Sequence, residues 1–134
     1  EARGAGFNEA MEAYPDMELI AQETANFDRA EGQTVFAAIL EEQDEIDGVF
    51  AHNDEMILGA IEAAKEADRA GEIQFVGFDA VEDAITALEA GDLLATVAQQ
   101  PAEMGRLGVE AAVSYLNGEE VDDFIPVDLA LITK

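Results

Sequence analysis

The stretch VFAHNDEMILGA, residues 49–60, decides the fold that this sequence predicts. Three apolar residues end at the polar cluster HNDE, and an apolar stripe with helical spacing follows at once. This pattern predicts a buried strand, a short turn and a helix N-terminus. In an open α/β sheet, ligands bind outside the carboxyl ends of the strands, beside the free N–H groups of the next helix. Asn53 is therefore a candidate ligand contact. The alternative is an ordinary helix cap, a role that Asn and Asp often fill.

Strand and helix patterns alternate along the rest of the chain. Helices are predicted at residues 2–13, 28–42, 54–67, 81–90 and 101–117, and strands at residues 17–22, 48–51, 72–77, 93–98 and 124–132. Pro101 suits a first helical turn, and Gly118 suits a helix C-cap. Strands that alternate with helices through short turns predict an α/β fold with a parallel sheet and helices on both faces.

The composition limits the possible functions. With 134 residues, 49% of them hydrophobic, the chain is long enough for one domain with a core. It has no cysteine and a single histidine, His52, which argues against thiolate or histidine metal centres and histidine-based triads. No metal and no cofactor is therefore predicted. The sequence shows no signal-peptide pattern and no run of about 18 apolar residues, so no membrane span is predicted either.

The charge of the chain is strongly negative. There are 31 acidic and 6 basic residues, which gives a net charge of −25. Such a charge repels nucleic acid and anionic membranes, so neither is an expected partner. Self-repulsion of this size destabilises a compact chain at low ionic strength, and salt screens it. We therefore expect a salt-loving source; acidity selected only for solubility is the alternative.

Four polar or aromatic turns fall at one edge of the predicted sheet, and the first helix begins close to the same edge. An exposed phenylalanine at a strand end is unusual unless it covers something apolar. Sugars require aromatic rings together with fixed polar groups, because their C–H faces stack on rings while their hydroxyls need donors and acceptors. The candidate site residues are Arg3, Phe27, Asn53, Phe78, Asp79 and Gln99.

Most of these residues have an ordinary alternative role. Phe27 and Phe78 would equally suit the core, and Asp79 would suit a helix cap. Arg3 would suit an exposed ion pair, which contributes about 0 to 1 kcal/mol to stability. His52, beside the candidates, is interpreted as structural.

Five segments resemble the second half of the ribose-binding proteins, which are periplasmic sugar-binding proteins of ABC importers. They are FDR at 27–29, VFAHNDEMILGA at 49–60, VGFD at 76–79, AGDLLATVAQQPAEMG at 90–105 and PVDLALITK at 126–134. The segments follow the order and spacing of that family over nearly the whole chain. In the family, two lobes joined by three crossing strands close over a sugar.

The resemblance implies that the six candidates are the sugar contacts of this lobe. By this resemblance, Phe27 stacks on the sugar face, and Asn53 and Asp79 bind hydroxyls. Arg3 binds ring or hydroxyl oxygens, and Gln99 lies at the hinge. The resemblance favours ribose or a close stereoisomer as ligand, a membrane permease as partner, and a periplasmic or extracellular location.

The resemblance also implies an incomplete type I periplasmic-binding-protein fold, without the first lobe and without the first strand of the second lobe. Residues 1–99 would form the sugar-binding lobe. Residues 100–128 would form a hinge crossing and a helix that packs on the absent lobe, and residues 129–134 a final hinge or lobe segment. An uncovered helix face and an open sheet edge predict that the chain self-associates.

Three functions are compared on this basis. The first is the solute-binding component of an ABC sugar importer, which binds a monosaccharide without covalent chemistry. The second is the effector-binding domain of a LacI-type repressor, which shares the NDEM and VGFD motifs. The third is an enzyme with Asp54, Glu55 or Asp79 as acid and base. This third function is disfavoured, because acids at a helix N-terminus are stabilised by the helix dipole and no second carboxylate pair converges.

Overall fold

One mixed sheet organises the protein in a computed structural model that describes residues 2–134. Its strands are β1 (Gly48–Phe50), β2 (Gln74–Asp79), β3 (Ala95–Ala98) and β4 (Ala130–Thr133), in the spatial order β1-β2-β3-β4. The first three strands are parallel, with Val49 opposite Phe75. In contrast, β4 runs antiparallel to β3, with Ile132 opposite Thr96.

The prediction of a wholly parallel sheet is wrong for β4. A parallel return after β3 requires a crossover that packs on a face of the sheet. The helix after β3 does not pack on a face of the sheet. The chain therefore re-enters the sheet at the same end at which it left β3. The antiparallel direction of β4 follows from this return path.

Each predicted helix is present, with ends that differ from the prediction by one or two residues. The helices are α1 (Ala2–Met11), α2 (Arg29–Glu42), α3 (Asp54–Glu66), α4 (Glu82–Ala90) and α5 (Pro101–Leu116). Local chemistry explains the clearest start: Asp28 caps α2, and its carboxylate accepts the Glu31 N–H at 2.9 Å.

The core lies between the sheet and the helices α2, α3 and α4. Val49 of β1, Phe75 of β2 and Ile132 of β4 all contribute to it. Phe36 of α2 meets Phe75 edge to face, with ring centroids 6.0 Å apart. The most buried helix is α3, whose Ile57 has no exposed surface. Burial against this one face of the sheet is the main source of stability that the packing provides.

Helix α1 covers the opposite face of the sheet. Phe7 of α1 stacks on Phe50 of β1, with ring centroids 5.3 Å apart. Successive strand residues point to opposite faces, and Val49, the neighbour of Phe50, faces the core. The prediction of helices on both faces is therefore confirmed, and the arrangement has three layers.

Residues 17–22 do not form the strand that their sequence pattern predicts. They have no ladder within the described residues, and Met17, Leu19 and Ile20 are exposed. Apolar residues make a strand only where a neighbouring strand supplies hydrogen-bond partners. On the β1 side, residues 2–134 provide no such neighbour, since β1 pairs with β2 alone. The last predicted strand, residues 124–132, is likewise shortened, because only its end reaches β3.

Helix α5 stands apart from the sheet. It buries no residue, and Met104 and Leu107 share a groove with Val121 and Ile125 from the segment that follows. We call residues 100–128 the arm, and residues 2–99 together with 129–134 the lobe. No helix within residues 2–134 is both long and apolar enough to cross a membrane.

Candidate ligand-binding site

Four candidate residues meet directly at the carboxyl ends of β2 and β3. The guanidinium carbon of Arg3 lies 3.8 Å from the ring centroid of Phe78, and Arg3 Nη2 lies 3.2 Å from Asp79 Oδ1. Gln99 Nε2 donates to the same Asp79 oxygen at 2.6 Å. Arg3 Nη1 donates to the carbonyl oxygen of His52. These contacts join α1 to the ends of β1, β2 and β3.

Asp79 retains one carboxylate oxygen for a ligand. Arg3 and Asp79 form a partly buried ion pair in which each side chain is 29% exposed. Among residues 2–134, side-chain hydrogen bonds to this carboxylate use Oδ1 alone, so Oδ2 is an acceptor for a hydroxyl. The alternative in which Asp79 caps the next helix is wrong, because the N-cap of α4 is Val81.

Asn53 has the capping role that was its alternative interpretation. Its Oδ1 accepts the Met56 N–H at 3.0 Å, and its Nδ2 donates to the Phe27 carbonyl oxygen at 3.1 Å. The residue is 8% exposed. An amide has two N–H donors and two acceptor lone pairs, so one of each remains. Contact with a ligand through them stays a prediction.

The two phenylalanines have different environments. Phe78 is 9% exposed and lies beneath Arg3, so the core alternative applies to it. Phe27 is 59% exposed. It lies in a turn closed by a hydrogen bond from the Asp28 N–H to the Ala25 carbonyl oxygen at 2.9 Å. Phe27 is thus exposed at this edge while Phe78 is buried, and contact of Phe27 with a ligand stays a prediction.

Unusual backbone conformations concentrate at this edge. Residues 2–134 include five non-glycine residues with positive φ, and four of them are Asn26 (47°), Phe27 (61°), Asp79 (119°) and Ala80 (57°). Each such residue costs roughly 1–3 kcal/mol and persists only where its surroundings hold it, most often at ligand sites. Asn and Asp tolerate this region, whereas Phe and Ala give no sequence signal for it.

Asp54 fixes the second of these turns, a role that the sequence interpretation missed. It is fully buried; its Oδ2 accepts the Val81 N–H at 2.9 Å, and its Oδ1 accepts the Thr96 hydroxyl at 2.8 Å. The Thr96 oxygen in turn accepts the Ala80 N–H at 3.2 Å. Because both carboxylate oxygens are bonded and shielded from water, Asp54 is not placed to act as an acid or base on a bound molecule.

Arg29 connects the rim of the site on the helix side. Its guanidinium donates to both oxygens of Glu55, at 2.9 and 3.0 Å, and to Asp83 at 2.8 Å. Hydrogen bonds to Glu55 and Asp83 raise the pKa of Arg29 above its ordinary value. The three helices α2, α3 and α4 are therefore tied together at their N-terminal ends.

His52 contributes its backbone to the site, and its ring lies beside the Phe50 ring with centroids 5.7 Å apart. Burial lowers the pKa of His52, and the positive charge of Arg3 lowers it further. These contacts agree with a structural role for the ring. Within residues 2–134, no cluster of histidine and carboxylate side chains has the arrangement of a metal site.

The fold is one lobe of the α/β class, with polar and aromatic groups gathered at the carboxyl ends of its strands. The chain belongs to the family described as the periplasmic binding protein domain, whose model matches residues 1–120. It is 41% identical over 132 residues to the ribose import binding protein RbsB of Haemophilus influenzae, a match that covers 98% of this chain and 44% of that protein.

Solved structures agree with this assignment. An ABC transporter periplasmic solute-binding protein from Actinobacillus succinogenes with bound D-allose has a TM-score of 0.92 at 30% identity, covering 98% of this chain and 46% of that one. An ABC transporter solute-binding protein from Bacillus halodurans with bound myo-inositol has a TM-score of 0.87 at 38% identity, covering 98% and 45%. The chain thus spans less than half the length of these relatives and has the fold of one type I lobe.

Proposed function

We propose that this chain forms the sugar-binding lobe of a solute-binding component of an ABC importer. The complete component binds a ribose-like monosaccharide between this lobe and a second one. It then delivers the sugar to a membrane permease from the periplasm or the cell exterior. In this proposal the sugar-binding lobe consists of residues 1–99. The hinge crossing and its helix are residues 100–128, and the final hinge segment is residues 129–134.

One observation carries this proposal: the Asp79 carboxylate is held by Arg3 and Gln99 with one oxygen left over, on the edge where Phe27 is exposed. The free oxygen accepts a sugar hydroxyl, and Arg3 and Gln99 keep it from turning away. Phe27 supplies an aromatic face for the C–H side of the ring. A polar ring with several hydroxyls satisfies both requirements.

The ligands named for the relatives support a sugar or a similar polyol. RbsB is named for ribose import, and the two solved structures hold D-allose and myo-inositol. All three ligands carry several hydroxyls that need fixed partners. An analogue that leaves a buried polar group of the site unpaired loses about 1–3 kcal/mol of binding free energy, which gives the site its specificity. No observation on residues 2–134 favours the LacI-type repressor, which is therefore not proposed.

Titration calorimetry on the full natural polypeptide, in high salt, tests the function. The panel contains ribose, allose, xylose, galactose, glucose and myo-inositol. We expect ribose or a close stereoisomer to bind with a micromolar or tighter Kd, about −8 kcal/mol. The lobe alone should bind weakly, because one-sided contact leaves the ligand largely solvated. A complete lack of binding across the panel would refute the proposed function.

The variant Phe27→Ala tests the site itself. Loss of a stacked ring should weaken binding about three- to tenfold, which corresponds to 0.5–1.5 kcal/mol. The matched control is Tyr14→Ala, because Tyr14 has the same exposure, 59%, and lies beyond the other end of α1. Equal weakening by both variants would show that Phe27 is not a ligand contact.

We further propose that the acidic surface is an adaptation to salt. All 6 basic side chains already make an ion pair or a hydrogen bond within the described residues, so most of the 31 acids have no cationic partner there. Solvent cations must then screen them. The accompanying proposal of self-association through the exposed arm is tested by sedimentation equilibrium, and a strictly monomeric mass with full helical content would refute it.

A further inference from the structure

We propose that Asp54 and Thr96 are positioning residues that hold Asp79 in its ligand-binding conformation. The inference rests on the proposed function, because Asp79 is taken as the ligand contact. Neither residue reaches the ligand side of the site: both have 0% exposure. They act on the two backbone amides that directly follow Asp79.

The hydrogen bonds that carry this proposal form one short chain. Asp54 accepts the Val81 N–H through Oδ2 at 2.9 Å and the Thr96 hydroxyl through Oδ1 at 2.8 Å. Thr96 accepts the Ala80 N–H at 3.2 Å. Both amides after Asp79 are thus held from α3 and β3 by part-buried hydrogen bonds, so rotation of the turn would break at least one of them.

The turn needs such support because its backbone is strained. Asp79 has φ 119° and Ala80 has φ 57°, two consecutive residues outside the conformations that L-residues prefer. Without the bonds from Asp54 and Thr96, the turn would relax toward negative φ. The Asp79 carboxylate would then move away from Arg3 and Gln99, because its direction is set by the backbone that carries it.

Gly77 makes room for the buried carboxylate. A Cβ atom at Gly77 would lie 2.2 Å from Asp54 Oδ1, a distance that no real contact allows. Gly77 lies two residues before Asp79 on the same strand, so Asp54 lies directly against β2 beside the turn. Ile57 Cγ2 would lie 2.9 Å from the same Cβ, so side chains of α3 require the glycine here and its own backbone conformation does not.

Hydrogen bonds to both oxygens offset the cost of burying the Asp54 carboxylate. Burying an ionised group costs several kcal/mol unless hydrogen bonds compensate it, and an apolar residue often stabilises a core as well or better. Asp54 is the first residue of α3, where the helix dipole favours negative charge. What the carboxylate adds beyond an apolar side chain is a pair of acceptors directed at the turn of the site.

The test compares Thr96→Val with Thr96→Ser in the full natural polypeptide, with ribose as the calorimetric probe. Valine keeps the shape of threonine but removes the hydroxyl, so ribose affinity should fall about tenfold or more, as for a binding group left unpaired. Serine keeps the hydroxyl and should recover most of that loss. The control Thr86→Val removes a hydroxyl that, among residues 2–134, donates to the Glu82 carbonyl oxygen within α4, and it should leave affinity unchanged.

A double-mutant cycle separates positioning from general destabilisation. In an Asp79→Ala background, Thr96→Val should change ribose affinity by less than about twofold, because the residue that it positions is gone. An equal factor in both backgrounds would overturn the proposal. Should Thr96→Val fail to fold, Asp54→Asn replaces it in the same cycle, since an amide can serve only one of the two donors.

Crystal structures of the sugar-free wild-type and Thr96→Val polypeptides test directly whether Thr96 positions the Asp79 carboxylate. The expected result is an Asp79 carboxylate displaced from Arg3 in the variant. An unchanged turn would overturn the positioning role. If the wild-type polypeptide bound no sugar while the turn moved in Thr96→Val, the proposed function would fail and the inferred control of the turn would stand.

Discussion

The lobe and the arm contain helices of similar length that are stabilised in different ways. In the lobe, α3 has 13 residues, most of them buried, and Ile57 has no exposed surface. In the arm, α5 has 16 residues and buries none. Helical propensity is a weak force on its own, and most helices in proteins depend on packing. In the arm, local signals therefore contribute a larger share, beside the groove that Met104 and Leu107 form with Val121 and Ile125.

Those local signals are complete in α5. Pro101 occupies the first turn, where its missing N–H costs nothing. Arg106 pairs with Glu103 and Glu110, one turn before and one turn after it. At the other end Gly118 has φ 79°. Its N–H donates to the Tyr115 carbonyl oxygen and the Glu119 N–H donates to the Ser114 carbonyl oxygen, which closes the last turn as a Schellman motif. We therefore expect the lobe to unfold cooperatively and α5 to open on its own.

A pair of core and surface truncations should give the largest contrast. Ile57→Ala in α3 should lower the free energy of unfolding by about 2–5 kcal/mol, because it leaves a cavity in the core. Val113→Ala in α5 should change it by less than about 0.5 kcal/mol, since Val113 is 52% exposed. Urea denaturation followed by circular dichroism measures both values. Similar losses for the two variants would contradict the independence of the arm.

The two glycines that end α4 and α5 offer a matched pair. Gly91 has φ 93° and Gly118 has φ 79°, and a Cβ would meet no atom at either position. Alanine should therefore cost about 1–2 kcal/mol in both places for conformational reasons alone. For Gly91→Ala, hydrogen exchange should show the loss across the whole lobe; for Gly118→Ala, it should show faster exchange in α5 only. Spread of the Gly118→Ala effect into β2 or β3 would contradict this division.

Charge removal should also distinguish the two regions. One variant neutralises the exposed acids at residues 41–45 of the lobe, and its partner neutralises those at residues 119–123 of the arm. In low salt the first should stabilise the lobe by about 1 kcal/mol, because neighbouring like charges on its surface repel one another. The second should leave the unfolding of the lobe unchanged. Thermal unfolding at several KCl concentrations measures both, and a gain that persists at molar salt would rule out a screened electrostatic origin.

The smallest expected effect is a pH dependence in the free energy of unfolding of the lobe. His52 is the single histidine, and burial lowers its pKa in the folded state. Below the ordinary value of about 6.5, the unfolded chain therefore binds more protons, and stability falls as the pH drops toward the lowered pKa. Unfolding of wild type and His52→Gln from pH 7.5 to 5 tests this expectation. His52→Gln should lack this loss of stability at low pH. Identical pH curves for the two proteins would contradict the expectation.

The sequence predicted the helices well because their caps and stops are local. Hydrogen bonds of Asp28 and Gly118 reach residues at most a few positions away. The effect of Pro101 is confined to the first turn of its own helix. The strands were predicted less well, since a strand depends on a partner distant in sequence. Residues 17–22 carry a strand pattern without a neighbour, and only the end of residues 124–132 reaches β3.

The candidate site divides along the same line. The residue types and their shared edge of the sheet were readable, and the structure brings Arg3, Phe78, Asp79 and Gln99 together. The predicted turn at Phe78 and Asp79 was wrong, because both residues end β2. The burial of Phe78 beneath Arg3 was not readable, because it depends on how α1 lies across the sheet. Asp54 was missed for a similar reason, since its partners Val81 and Thr96 are 27 and 42 positions away.

The sequence by itself determined the helix positions to within two residues, the α/β class, the strong negative charge and the family, because each depends on local patterns or on composition. The tertiary structure alone decided that β4 runs antiparallel, that residues 17–22 form no strand, and that a buried carboxylate supports the turn of Asp79. These features depend on contacts between distant residues, whose geometry no local pattern records.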